Sequence, residues 1–251
     1  YYDAFRERVM FPIKNISGKV VGFGGRQLKK SEKSPKYINS PETAVYNKSN
    51  ILYGLDLAKN SIRQQNTCLM VEGYMDVVSL YQSGIHNVVA SSGTSLTHGQ
   101  IRQVKRFGEN ITILYDGDAA GINATIRAID LILEEGLNVK AVTFPEGEDP
   151  DSYCQKHGAT GLKEYIEAEE LDFIRFKAAH IEEGKLDDPI KKTKITRSIL
   201  ESITKISDPI KRSAYLVEAS NFLQVDEQLL RSEGLRLRNN LRRSEAKKIE
   251  R

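Results

Sequence analysis

The sequence predicts an α/β chain: a parallel sheet covered by helices on both faces, flanked by a basic mixed α+β N-terminal segment and a C-terminal helical bundle. Three observations carry this. Between residues 67 and 157, short and nearly continuous apolar runs alternate with segments of helical spacing, as strands buried on both faces and joined by helices do. Before residue 60, short strand-like runs are separated by turn residues. After residue 160 only helical spacing remains. The expected division is 1–65, 66–160 and 161–251.

Taken in order, "VMFPI" (9–13) and "KVVGFGG" (19–25) read as two strands joined by the turn "KNISG". "KKSEKSPK" (29–36) reads as a polar loop. "LYGLDLAKNSIR" (52–63) sets Leu52, Leu55, Ala58 and Ile62 at helical spacing. "TCLMV", "NVVA", "ITILY" and "VKAVTF" are the four buried strands. Thr97 and Gln100 form a capping box before one intervening helix. "AAGINATIRAIDLILEEG" (119–136) aligns Ile122, Ile126, Ile129 and Leu133 and stops at Gly136. Asp188-Pro189 and Asp208-Pro209 each read as an N-cap followed by proline at the first helical position.

Composition excludes several classes. At 251 residues, with 39% hydrophobic and 28% charged residues, the chain has length for a sizeable core. No apolar run approaches the roughly 18 residues that a membrane span needs, so no membrane association is expected. The first residues lack the order of a secretory signal and read as the interior of a domain, so an excised piece is expected. Two cysteines, Cys68 and Cys154, with no Cys-x-x-Cys pair, disfavour zinc and suit a reducing cytoplasm. The net charge of +3 hides an asymmetry: +6 over residues 1–50, −7 over 66–151 and +5 over 231–251. An acidic centre between basic ends suits divalent cations enclosed by a polyanion, and solvated basic surface explains the ends equally well.

The acidic centre is ordered. Glu72 follows one strand, Asp116 and Asp118 follow another, and Asp149 and Asp151 follow a third. Open parallel sheets bind ligands at the carboxyl ends of their strands, so the three clusters are expected at one edge. Convergent carboxylates repel unless a cation neutralises them, and oxygen ligands suit Mg²⁺ or Mn²⁺. Gly117 and Gly121 are read as giving a tight turn and close approach to the ligand. Against this stand chance Asp-x-Asp pairs and ordinary capping, Asp149-Pro150 above all.

"VEGYMD" followed by "DGDAAG" resembles the TOPRIM fold. With "FRERVMFPI", "GKVVGFGGR", "PKYINSPET", "LYGL", "SSGTSLT" and "FPEGEDPD", residues 2 to about 158 resemble the RNA polymerase core of DnaG-type bacterial primases. The resemblance weakens in the helical tail. It implies metal ligation by Glu72, Asp116, Asp118, Asp149 and Asp151, with Asp76 as a supporting neighbour and Glu72, Asp116 and Asp118 catalytic. Glu72 is open between metal ligand and base. The family's zinc-binding and helicase-binding domains have no counterpart recognised here, so no helicase partner is expected.

Arg6 and Arg8 alternate, and in an extended segment would share a face. The glycines before Arg26 are read as letting phosphate approach. Lys36 and Tyr37 pair a cation with a stacking surface, and Asn39 and Lys48 extend it. Template and nucleotide binding by Arg6, Arg8, Arg26, Lys36 and Lys48 is what the resemblance implies. Lys29, Lys30 and Lys33 read as solvated. Gly93, Thr94 and Ser95 follow a strand and offer N–H and hydroxyl groups to phosphate, whereas Thr97 is a cap. The implied activity is synthesis of short RNA primers from ribonucleoside triphosphates on single-stranded DNA by a monomer using two or more Mg²⁺ or Mn²⁺ ions. A TOPRIM nuclease, or a module binding nucleotide or single strands, are the alternatives.

Overall fold

The computed structural model describes residues 3–29 and 34–249; Lys30 and Lys33 of the predicted polar loop and the end of the basic C-terminal segment, Glu250 and Arg251, lie outside the described residues. Strands β1 (Arg8–Lys14) and β2 (Val20–Gln27) pair antiparallel, and β3 (Tyr37–Asn39) pairs with β2. The intervening turn closes on Asn15, whose Oδ1 accepts from the N–H groups of Ser17 and Lys19, both at 3.0 Å. Gly18 takes φ +82° there, a conformation costly for a side chain. Three-residue β3 is too short for periodicity to mark, and the sequence reading left it out.

The second sheet has the order β5-β4-β6-β7-β8. Strands β4 (Thr67–Val71), β5 (Val88–Ala90), β6 (Asn110–Tyr115) and β7 (Asn138–Thr143) are parallel, as predicted. Two-residue β8 (Leu171–Asp172) adds antiparallel to β7, a strand not foreseen after residue 160. Helices α1 (Leu55–Gln65), α2 (Tyr74–Gln82), α3 (His98–Lys105), α4 (Ala119–Glu134) and α5 (Pro150–Glu169) accompany the sheet, and α5 kinks at Gly158. Then come α6 (Phe173–His180), α7 (Pro189–Lys205), α8 (Pro209–Leu223) and α9 (Glu227–Ile249).

Side chains alternate between two cores because successive strand residues face opposite sides. Cys68, Met70, Ile111, Ile113, Val139 and Ala141 pack on the α1, α3 and α4 side. Leu69, Val71, Leu114 and Val142 pack with α2 and α5 on the other. The predicted caps form: Thr97 accepts from Gln100 N–H, and Asp188 and Asp208 each accept from two N–H groups in the following turn. Helix α4 departs from its predicted stripe. It buries Thr125, Ala128, Ile129, Ile132 and Leu133, while Ile122 and Ile126 are half-buried. The reason is that α4 meets both the sheet and the later helices, so its buried arc is wider than one stripe.

The two sheets meet at an aromatic joint. The rings of Phe11 and Tyr74 stack 5.0 Å apart, and Tyr53 meets Tyr74 edge-on at 4.7 Å. Tyr53 also exchanges backbone hydrogen bonds with Ala90 at the sheet edge, at 2.9 and 3.1 Å. At the opposite end, Lys177 of α6 is buried and donates to Asp130 of α4 (2.9 Å) and Ser202 of α7 (2.5 Å), tying the helical part to the sheet.

Candidate acidic site and its basic wall

Parallel strands end in step, so β4, β6 and β7 deliver their following residues to one edge. Glu72 follows β4, and Asp116 follows β6. Asp118 caps α4 by accepting from Gly121 N–H at 2.7 Å, and Asp149 caps α5 by accepting from Ser152 N–H at 2.7 Å. Asp151 stands in the first turn of α5, where its Oδ1 accepts from Gln155 at 2.6 Å. Capping therefore uses one oxygen of Asp118 and one of Asp149, and both remain within the acidic group.

The carboxylates feel one another. Burial raises the Glu72 carboxyl above its usual range, and the charges of Asp116 and Asp118 raise it further. Burial raises Asp116 as well, with Asp149 and Asp118 adding to it and Lys36 drawing it down. Asp76 is pushed up to about 7, first by burial and then by Asp149, Asp116 and Asp151, while a hydrogen bond from Gly73 N–H opposes the rise. That bond, at 2.9 Å, joins Asp76 to the start of α2 just after Glu72. Asp76 thus steadies the turn that carries Glu72, a supporting place.

Among the described residues no three His, Cys, Asp or Glu side chains converge to hold one ion by themselves. The acidic edge is open. It still fits a hard cation, because the donors are oxygen only and their mutual repulsion favours a counter-charge. Mg²⁺ in particular keeps several waters and binds through one or two carboxylates plus phosphate oxygens, not in an all-protein cage.

A basic wall faces this edge. Burial raises the Tyr37 hydroxyl, Arg26 draws it down, and Asp76, Asp151 and Asp149 each raise it, so the ring feels both the cations and the carboxylates. The Lys36 ammonium is 5.8 Å and the Arg26 guanidinium 6.0 Å from the Tyr37 ring centre. Gly93, Thr94 and Ser95 line one cleft with Glu72, although the Thr94 hydroxyl already donates to Ser91 within its own loop, at 3.2 Å.

Other residues hold the wall in place. Arg8 donates to the carbonyls of Gly25 (3.1 Å), Lys36 (3.3 Å) and Pro35 (2.9 Å) and to the Ser34 hydroxyl (2.6 Å). Asn39 accepts from Tyr74 Oη at 2.7 Å and donates to Ser92 carbonyl at 3.1 Å, clamping the two sheets together. Lys48 lies in a tight turn that Gln100 of α3 holds through the Lys48 and Ile51 carbonyls, both at 3.0 Å.

Three readings of local geometry are corrected. Arg6 and Arg8 do not share an extended face: Arg6 stands in a turn before β1, and Glu7 between them has φ +56°. The glycines before Arg26 do not face phosphate, because a Cβ on Gly24 would stand 2.5 Å from the Tyr74 ring and one on Gly25 2.7 Å from Phe5. Gly117 and Gly121 likewise admit backbone and not ligand, since a Cβ on them would strike the carbonyls of Phe144 and Asp116 respectively.

The sequence reading missed Arg127. It lines the Glu72 cleft from α4 and makes no ion pair, hydrogen bond or ring contact among the described residues. Its signal was a cation set at helical spacing among Ala124, Ala128 and Leu131.

Carboxylates on the carboxyl edge of a parallel sheet, walled by a basic antiparallel one, define the class: a Toprim-like domain with a basic annex. The family described as DNA primase catalytic core, N-terminal domain, matches residues 1–59. A Toprim-like family matches 69–154, and the family described as DnaB-helicase binding domain of primase matches 175–228. A DNA primase of Halalkalibacterium halodurans is 39% identical over 243 residues, covering 96% of this chain and 40% of the relative. A solved DnaG catalytic core is 37% identical with TM-score 0.78, covering 91% of this chain and 74% of that one. A DnaG primase catalytic domain bound to single-stranded DNA is 36% identical with TM-score 0.79, covering 91% and 73%. The chain belongs to the family of DnaG-type bacterial DNA primases. It spans about two fifths of the length of the curated relatives it matches.

The match over 175–228 overturns the expectation that no helicase-binding domain is present. Amphipathic helices bury their apolar faces by spacing alone, so the tail offered no residue pattern that a reader of one sequence could separate from a generic bundle.

Proposed function

We propose that this chain is the polymerising core that makes short RNA primers on single-stranded DNA, joining ribonucleoside triphosphates by nucleotidyl transfer. The supporting observation is the nearness of the basic and acidic groups: the Lys36 charge acts on Asp116, whose neighbours are Glu72, Asp118 and Asp149, and Tyr37, set against Arg26 and Lys36, feels Asp149 and Asp151. Mg²⁺ or Mn²⁺ at those carboxylates, two or more ions with oxygen ligands and no zinc, supplies charge neutralisation at the reacting phosphate and its leaving group. The basic wall holds the template strand and the incoming triphosphate, and Asp76 keeps the Glu72 turn in place.

The solved relative bound to single-stranded DNA supports that choice of polyanion. The 175–228 match supports a DnaB-type helicase as partner of the helical part. Among the described residues no helix is long and apolar enough to cross a membrane, and we propose a monomer acting in the cytoplasm.

The deciding experiment incubates the chain with labelled ribonucleotides, Mn²⁺ and single-stranded DNA. Extension is expected, and Asp116→Asn or Asp118→Asn should lower it at least a hundredfold with the fold intact. Cleavage without extension, or binding alone, would replace this reading with a nuclease or a binding module.

A further inference from the structure

The acidic edge borders two distinct surfaces. Lys36 acts on Asp116, and Tyr37 and Arg26 stand beside Lys36. A cleft of about 410 Å³ opens beside Glu72, with Ser91, Gly93, Ser95 and Arg127 among its walls and without Arg26, Lys36 or Tyr37. Its volume is in the range of small-ligand sites. Leu96, Tyr115, Ala128 and Leu131 give its lining a largely apolar part. The lining therefore combines a carboxylate of the acidic group, apolar surface suited to a flat ring, and a cation from α4.

That cation is unspent. Arg127 is exposed and has no intramolecular partner among the described residues, whereas Arg8, Arg102 and Arg175 are each engaged by oxygen acceptors. Arg127 is nine residues past Asp118, so at 1.5 Å per residue it lies about 13 Å along α4 from the acidic edge. A nucleotide carries its 3′-hydroxyl, its base and its 5′-phosphates on three different carbons of one ribose, so the three groups diverge from a common centre. The cleft offers a lining group for each: the Glu72 carboxylate, the apolar surface of Leu96, Tyr115, Ala128 and Leu131, and the Arg127 guanidinium. Guanidinium pairs with phosphate through parallel N–H donors, which is the use an unpartnered arginine in a cleft best suits.

We infer that this cleft holds the starting nucleotide, the one that donates its 3′-hydroxyl, and that Arg127 binds its 5′-polyphosphate. This rests on the polymerase reading of the acidic edge. The incoming nucleotide then occupies the Lys36 and Tyr37 side. In the first condensation the starting 3′-oxygen forms a bond to the α-phosphorus of the incoming nucleotide. The α–β phosphoanhydride breaks, pyrophosphate leaves with that electron pair, and the 3′-hydroxyl proton passes to water.

The test is starter choice. Dinucleotide synthesis on single-stranded DNA with Mn²⁺ is measured with ATP, AMP or adenosine as starter and one fixed incoming triphosphate. The native chain is expected to use ATP at least tenfold better than adenosine, judged by kcat/KM for the starter. Arg127→Ala should bring that ratio to within about twofold of unity, and Arg127→Lys should keep part of it. The ratio is internal to each variant, so a general loss of catalysis cancels. Equilibrium binding of ATP with Mn²⁺ reads the same cleft without turnover: two molecules per native chain and one per Arg127→Ala chain. A native ratio near one, or an Arg127→Ala chain with the native ratio and two bound ATP, overturns the assignment of the cleft. A native chain that condenses no starter at all would instead overturn the polymerase reading.

Discussion

The Tyr74 ring lies against the backbone of Gly24, 2.5 Å from where a Cβ on that glycine would stand. Tyr74 opens the helix that follows Glu72, and Gly24 sits in the strand that pairs with Asn39. The contact therefore sets the distance between the acidic edge and the basic wall. Gly24→Ala must push the sheets apart, and overpacking of this kind costs about 1–3 kcal/mol. The expected outcome is a folded chain with primer synthesis lowered at least tenfold and the Kd for Mn²⁺ nearly unchanged. Full activity would mean that the joint does not set the site.

Asp76 makes stability depend on pH in a stated direction. Its folded pKa of about 7 lies above the ordinary carboxylate value, so the folded chain holds a proton that the unfolded chain has lost. Stability must then fall as pH rises from about 4 through 7, and the penalty is complete above that. The Tm of the native chain minus that of Asp76→Asn should drop by roughly 5 °C between pH 5.5 and 8. Glu72 and Asp116 are raised in the same direction, so Mn²⁺ should stabilise more at pH 8 than at pH 5.5. A difference that rises with pH would refute the burial account of Asp76.

Lys177 and Asp130 form the tie between the helical part and α4, with Lys177 only 1% exposed in its side chain. Burial lowers the Lys177 pKa, while Asp130 opposes that fall; Lys177 and Ser202 both donate to the carboxylate, and Lys177 also donates to Ser198, in a mostly dry setting. Among the described residues Lys177→Ala leaves Asp130 with only the partly buried Lys205 as cationic partner (3.1 Å), and it opens a cavity. A loss of about 2–4 kcal/mol in urea unfolding is expected. A change under about 0.5 kcal/mol would show that the tie is dispensable.

Lys36 and Arg26 separate strand binding from metal binding. Removing either charge should weaken single-stranded DNA binding several-fold and reduce the salt dependence of log K by roughly 0.7 per lost phosphate contact. Fluorescence anisotropy at four salt concentrations measures both. An unchanged slope in both variants would return these residues to solvated surface.

Ile190 and Ile210 follow the prolines that open α7 and α8, and are 72% and 81% exposed. Both fall in the segment that matches the helicase-binding family. If the helical part docks a DnaB-type helicase, Ile190→Asp with Ile210→Asp should weaken that binding at least tenfold in calorimetry while primer synthesis on naked template stays unchanged. Equal affinity in the double variant would move the docking surface elsewhere on the bundle.

Much of the fold was written locally. Runs such as "TCLMV" and "ITILY" are short, apolar and alternate with helical segments, the pattern of buried strands, and Thr97, Asp188 and Asp208 cap their helices through atoms a few residues away. The acidic edge was legible for a related reason. Parallel strands end in step, so a carboxylate after each of three strands arrives at one edge whatever the rest of the chain does. Tertiary structure decided what depends on residues far apart in sequence. Gly24 and Gly25 look like phosphate loops until Tyr74 and Phe5 are seen to cover them. Arg8 and Arg127 are alike as letters, yet one is consumed by four oxygen acceptors and the other, among the described residues, by none. Two-residue β8 exists only because β7 offers a free edge. Local propensity and strand order are set over a few residues, whereas the donors a side chain has left are counted only after its neighbours have been brought to it.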